Sequence, residues 1–196
     1  EQLDEDEPVW RGEATHMLGN VYQQQGRLDH ALRLFLETLR IWEEIGSQRG
    51  LAAVANGLAD LARLKGNLLK AEEWYQRAVS VFEGVGAWEA WMVRLNMALV
   101  QFARGNYNGA FELTQSALEF FERSGQRSWQ AVAHSFMMPC IAQQRRWEQF
   151  DVHFGAAKDL LNEVGFADAE VARTVEQSAE ILQSAGQVKR ADRVFA

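Results

Sequence analysis

Scarcity is the first guide to this chain. Its 196 residues include one cysteine, Cys140, and two prolines. A single thiol cannot form an internal disulfide, so a cross-linked secreted scaffold is excluded and a cytoplasmic setting is the expectation. No apolar run approaches ~18 residues, the length a membrane-spanning helix needs. The opening "EQLDEDEP" is acidic where a secretory segment would be basic and then apolar. An initiator methionine is also missing, from which we expect processing or excision from a longer chain. Basic clusters are absent as well: Lys and Arg are scattered and the formal net charge is −7. Neither a nucleic-acid footprint nor attraction to an anionic membrane surface fits that field.

Catalytic signatures are equally sparse. There is no phosphate loop, no His-Glu-x-x-His, no cysteine pair and no glycine-rich dinucleotide turn. The four histidines, His16, His30, His134 and His153, are dispersed. His134 and Cys140 are six residues apart, about 240° around a helix, so one helix cannot pair them as base and nucleophile. Carboxylates fall on polar faces where water solvates them. A non-enzyme with no cofactor and no metal is expected.

What the chain does have is one corner written five times. "QQGRLDHALRLFLETL", "LKGNLLKAEEWYQRAV" and "ARGNYNGAFELTQSAL" echo one another. Gly26, Gly66, Gly105 and Gly186 occupy equivalent turns, with Arg145 in the fourth, at spacings of 40, 39, 40 and 41 residues. Five residues after each stand Ala31, Ala71, Ala110, Phe150 and Ala191. A second marker, Gly46, Gly86, Gly125 and Gly165, ends "IWEEIG", "VFEGVG", "FFERSG" and "LLNEVG". Glycine there lets a helix stop in a left-handed cap without a Cβ penalty. Between markers the apolar spacing is helical: Ala31, Leu34, Phe35, Thr38, Ile41, Trp42 and Ile45 share one face.

The spacing predicts helix pairs over 9–25 with 28–45, 50–65 with 68–84 and 89–104 with 107–124. Two more follow, 128–144 with 147–164 and 168–185 with 188 onward. No stretch alternates like a strand, so no sheet is expected. One pair cannot hide its own apolar face; stacking alike pairs buries a continuous seam. The small residues Ala31 and Ala71 let the helices of a pair approach, and Phe150 predicts looser or rearranged packing in the fourth. An acidic lead-in, 1–8, precedes the array, 9–196.

These residues resemble tetratricopeptide repeats, in a forty-residue variety. Repeat one supplies Leu18, Gly19, Tyr22, Ala31 and Phe35, and repeat two Leu58, Ala59, Ala71, Tyr75 and Ala78. Repeat three keeps Met97, Ala98, Ala110 and Ala117; repeat four keeps Phe154 and Ala157, with Met137 and Met138 at the Leu-Gly place. Repeat five offers Ala179, Leu182, Ala191 and Phe195, and glycine caps replace the usual closing proline. The resemblance implies an all-α fold, a right-handed α-solenoid (superhelix) of antiparallel helix pairs, four complete and a fifth truncated.

It also implies that the first helix of each pair lines a concave groove. The positions so exposed include Glu13, His16, Asn20 and Gln23, then Ala53, Asn56, Asp60 and Arg63. Next come Met92, Leu95, Leu99 and Phe102, and then Val132, Ser135, Pro139 and Ala142. The first half is polar, with amides suited to an extended peptide backbone; the third-repeat stripe is apolar and reads as an anchor for hydrophobic side chains. From these we take as the peptide-binding groove His16, Asn20, Asn56, Asp60, Arg63, Met92, Leu95, Leu99, Phe102 and Ser135. Some relatives clamp a C-terminal carboxylate with Lys or Arg, but His16, Met92 and Asn96 hold the comparable positions here, so that clamp is not expected. Pro139, inside a predicted helix, is read as a kink that opens the groove or as ordinary tolerance.

The function implied is a non-catalytic scaffold binding a protein or peptide ligand within a larger protein. One alternative is a sensor or regulatory module of a bacterial signalling kinase or ATPase-type regulator, binding a small peptide or effector. The other is a homo-oligomerisation unit. The closing "VKRADRVFA" leaves apolar residues on an unfinished helix, where a solenoid end needs a polar cover. Continuation beyond Ala196, or a homodimer through that edge, is expected.

Overall fold

Left-handed turns at regular intervals organise the backbone. Eight glycines, including all four caps anticipated above, have φ between +65° and +78°, and Arg145 takes the same conformation at φ +56°. Each turns the chain back on itself. At Gly46 the amide donates to the Glu43 carbonyl and the next amide, of Ser47, to the Trp42 carbonyl, which closes the end of the helix.

The computed structural model describes residues 7–165 and 169–195, and among these it has ten helices and no strand. They are α1 (Glu7–Gln24), α2 (Leu28–Ile45), α3 (Gln48–Leu64), α4 (Leu68–Gly84) and α5 (Glu89–Ala103). α6 (Tyr107–Arg123), α7 (Arg127–Gln143), α8 (Trp147–Val164), α9 (Ala169–Ser184) and α10 (Val188–Phe195) follow. These are the five helix pairs expected, and the fold class is the all-α solenoid of helix pairs. Several starts are fixed by side chains: Ser47, Asn67 and Asn106 each accept from the amide three residues on. Of the acidic lead-in, residues 1–6 lie outside the described residues, while Glu7 and Pro8 already open α1.

Contacts divide the chain into two units, Glu1–Asn96 and Met97–Ala196, with the division inside α5. In the first unit, Phe35 and Trp42 of α2 pack with Ala31 and with Val54, Leu58 and Leu61 of α3. Burying a side chain the size of Phe35 contributes ~2–3 kcal/mol. Ala31 and Ala71 are wholly buried, as close helix approach requires. Gly19 is buried too, but its neighbour Leu18 is exposed.

In the second unit, Ala98, Ala110 and Cys140 join α5, α6 and α7 around a cluster with Phe102, Phe111 and Leu113. Phe150 is buried where other repeats carry alanine, and its ring lies nearly parallel to Phe154. α7 is the exception to amphipathicity: residues from Gln130 to Ala142 are buried almost without interruption. Pro139 sits in that buried stretch and the helix runs through it. Ser135, Val132, Pro139 and Ala142 therefore belong to the interior and not to an exposed groove. The Ser135 hydroxyl is satisfied within its own helix, donating to the Ala131 carbonyl at 2.8 Å. The side chain of Phe195 and all of Ala196, on which the proposed terminal edge depends, lie outside the described residues.

Candidate functional site

Four of the predicted groove residues come together in the first unit. His16 and Asn20 project from α1, Asn56 from α3 and Met92 from α5, around a concavity of about 310 Å³. Arg49 and Glu89 also line it. A second, more apolar concavity of about 440 Å³ shares His16, Arg49 and Ala53, and adds Val9, Met17, Trp42 and Ile45. The sequence pattern missed Arg49, Glu89 and Trp42 because it followed only the middle turns of first helices. A signal was present: Arg49 and Glu89 have opposite charges exactly one repeat apart, and they form an ion pair.

The register explains one error of the groove reading. Counted from the following corner, the third repeat is 39 residues on, which aligns Asn56 with Leu95. The hydrogen bond from the Asn96 amide to the Asn56 side-chain oxygen (3.1 Å) shows that the neighbour is 40 residues on. A three-residue step from Met92 turns about 60° away from the exposed strip, and Leu95 is fully buried. It is a core residue, not a contact surface. Leu99 is half-buried.

Asp60 and Arg63 are engaged inside the unit. The Tyr75 hydroxyl donates to the Asp60 carboxylate, and Arg63 lies 3.7 Å from the same oxygen. Burial holds the Tyr75 phenol well above its ordinary pKa, and the Asp60 charge adds to this. His16 lies against Phe35, with ring centroids 5.5 Å apart, and burial lowers its pKa. At neutral pH it therefore offers an uncharged ring.

The remaining groove candidate, Phe102, lies in the second unit beside a concavity of about 700 Å³. Tyr107, Gln143, Arg145, Gln177 and Glu180 are among its other walls. The second unit also brings together two histidines that 19 positions of sequence separate: His134 and His153 meet Nδ1 to Nδ1 at 2.8 Å. One neutral ring donates and the other accepts. Burial, then the neighbouring His153, lowers His134 to about 4; burial, then Arg146, lowers His153. Cys140 is buried and its thiol is pushed up to about 12. Among the described residues no group of three His, Cys, Asp or Glu side chains is placed to hold a metal. No helix among them is long and apolar enough to cross a membrane.

Paired helices joined by left-handed corners define an all-α solenoid of helix pairs. A family model described as tetratricopeptide repeat matches residues 11–84. No curated protein matches the chain in sequence. Among solved structures it is similar to BtubC (BKLC) from P. vanneervenii, at 19% identity over 99% of this chain and 84% of that one, with a TM-score of 0.73. It is also similar to aspartyl phosphate phosphatase F from Bacillus subtilis, at 12% identity over 95% of this chain and 58% of that one, TM-score 0.77. A third similar structure is a STAND protein with a tetratricopeptide repeat sensor from Pyrococcus horikoshii, at 15% identity over 95% of this chain and 29% of that one, TM-score 0.70. Identities this low establish a shared fold and nothing finer.

Proposed function

We propose that the chain is a non-catalytic protein- or peptide-binding module, and that the first unit holds its ligand. The observation that carries this reading is the convergence of His16, Asn20, Asn56 and Met92 on one concavity that adjoins an apolar one. Amides and an uncharged imidazole suit the backbone of an extended peptide, and Trp42, Met17 and Ile45 suit an apolar side chain. The repeat match over residues 11–84 covers the part of this face built by α1 to α4, while Glu89 and Met92 of α5 lie beyond it.

A second reading, a sensor module that changes conformation on binding a small peptide or effector, is supported by the likeness to the repeat sensor of the STAND protein. Scattering curves that superimpose with and without bound peptide would count against it.

The test of the main reading is a displayed random-peptide library selected on the protein, followed by calorimetry with the selected peptides. Ala53 borders both concavities, so Ala53→Trp fills them from one position. The variant is expected to keep the helical spectrum and lose at least about tenfold in affinity. Unchanged affinity would remove the first unit as the binding face.

A further inference from the structure

The ligand's chemistry can be read from one carboxylate. Glu89 stands at the first turn of α5 with only 14% of its side chain exposed. Its Oε1 is held by the Arg49 guanidinium. Among the described residues no donor reaches its Oε2, which is buried. A buried carboxylate oxygen without a donor is unfavourable, so a donor supplied from outside would be gained at little desolvation cost.

Arg49 is an incomplete partner. Its side chain is 70% exposed and reaches in from the start of α3, occupying the approach that a ligand's cation would use. The surrounding charge points the same way. The charged side chains on the two concavities are Glu13, Glu89 and Arg49, and His16 adds none at neutral pH. With Arg49 directed at Glu89, Glu13 remains to attract positive charge.

From this we infer that the first unit takes a peptide segment with a lysine or arginine next to an apolar residue. The cation approaches Glu89 Oε2 and displaces or shares with Arg49. The apolar side chain rests against Trp42, Ile45 and Met17 in the 440 Å³ concavity. This rests on the peptide-binding reading and narrows it to a basic-apolar partner. Arg49 then acts as an internal competitor, which predicts opposite effects for its removal and for that of Glu89.

The test uses three fluorescein-labelled nine-residue peptides with a central leucine flanked on each side by two lysines, two glutamates or two serines. Fluorescence anisotropy follows their binding to the full chain. The lysine peptide is expected to bind about tenfold tighter than the other two. Glu89→Gln should erase that preference. Arg49→Gln should strengthen the lysine peptide several-fold, a gain that partial unfolding cannot produce. A preference for the glutamate peptide, or a Glu89→Gln effect equal on all three, would overturn the inference and leave peptide binding standing. Failure of these and of every library-selected peptide to bind would overturn the peptide-binding reading and this one with it.

Discussion

A β-carbon built on Gly57 of α3 would lie 2.9 Å from Cζ of Phe35 on α2. The same ring faces Gly19 of α1, where a β-carbon would lie 2.6 Å from Cε1. About two turns away the arrangement recurs: β-carbons on Gly12 and Gly50 would come within 2.9 and 2.4 Å of the Trp42 indole. Both large rings of α2 thus seat on bare backbone of the helices before and after it. Gly57→Ala should force Phe35 off its position and destabilise the fold by ~1–3 kcal/mol. Calorimetry should show the melting temperature falling by ~2–4 °C per kcal/mol. Gly84→Ala is the control: nothing lies within 4 Å of its would-be β-carbon, and it should melt at or above the wild-type temperature.

How much of this was legible follows from what a period can carry. The corner glycines and the buried alanines recur every 39 to 41 residues, so the pairs, their order and the caps could be read directly. His16, Asn20, Asn56 and Met92 line one concavity; the first three could be aligned by the period because repeats one and two keep step. Leu95 and Ser135 could not be. The chain shortens by one residue around α5, and sequence alone does not say on which side of Asn96 the deletion falls. α7 is apolar nearly all round, so no face could be told from another. The Gly12–Trp42–Gly50 seat passed unnoticed because glycine inside a helix reads as a weak helix former until its neighbour is known.

Arg145 is the one described non-glycine residue in the left-handed region. A side chain there is unfavourable by roughly 1–2 kcal/mol, partly offset by the greater freedom that glycine has in the unfolded chain. Arg145→Gly should therefore stabilise the protein by about 0.5–1 kcal/mol, seen as a higher denaturant midpoint at unchanged slope. Arg146→Gly should do the reverse. Its backbone is ordinary at φ −89°, and its guanidinium lies 5.2 Å from the Phe111 ring. Equal effects at the two positions would refute the strain argument.

The histidine pair sets a pH dependence whose sign is fixed. Free histidine titrates near 6.5, whereas His134 is lowered to about 4 and His153 and His16 are lowered as well. Between those values the unfolded chain binds more protons than the folded one, so stability rises with pH. It should be fully present above about pH 7 and decline progressively as pH falls from 6.5 toward 4. Denaturant titrations at pH 7.5, 6, 5 and 4.5 measure the slope. Replacing both rings, His134→Leu with His153→Leu, should flatten most of it in that window. A slope unchanged in the double variant would assign the effect to other groups.

Cys140 offers a direct clock for opening of the second unit. Its side chain is buried beside Ala98 and Ala110 and contacts the Phe136 carbonyl, with sulfur to oxygen at 3.8 Å. With its thiol pushed up to about 12, the thiolate at pH 8 is on the order of one molecule in ten thousand. Both burial and protonation thus block attack on an aromatic disulfide reagent. In the native protein labelling should proceed only as fast as the cluster opens, and it should plateau at one thiol per chain once denatured. If opening is global, the labelling rate should track unfolding free energy across Gly57→Ala, Arg145→Gly and the histidine variant. Rapid labelling of the folded protein, at a rate indifferent to those variants, would mean that α7 is not packed on both sides as its burial indicates.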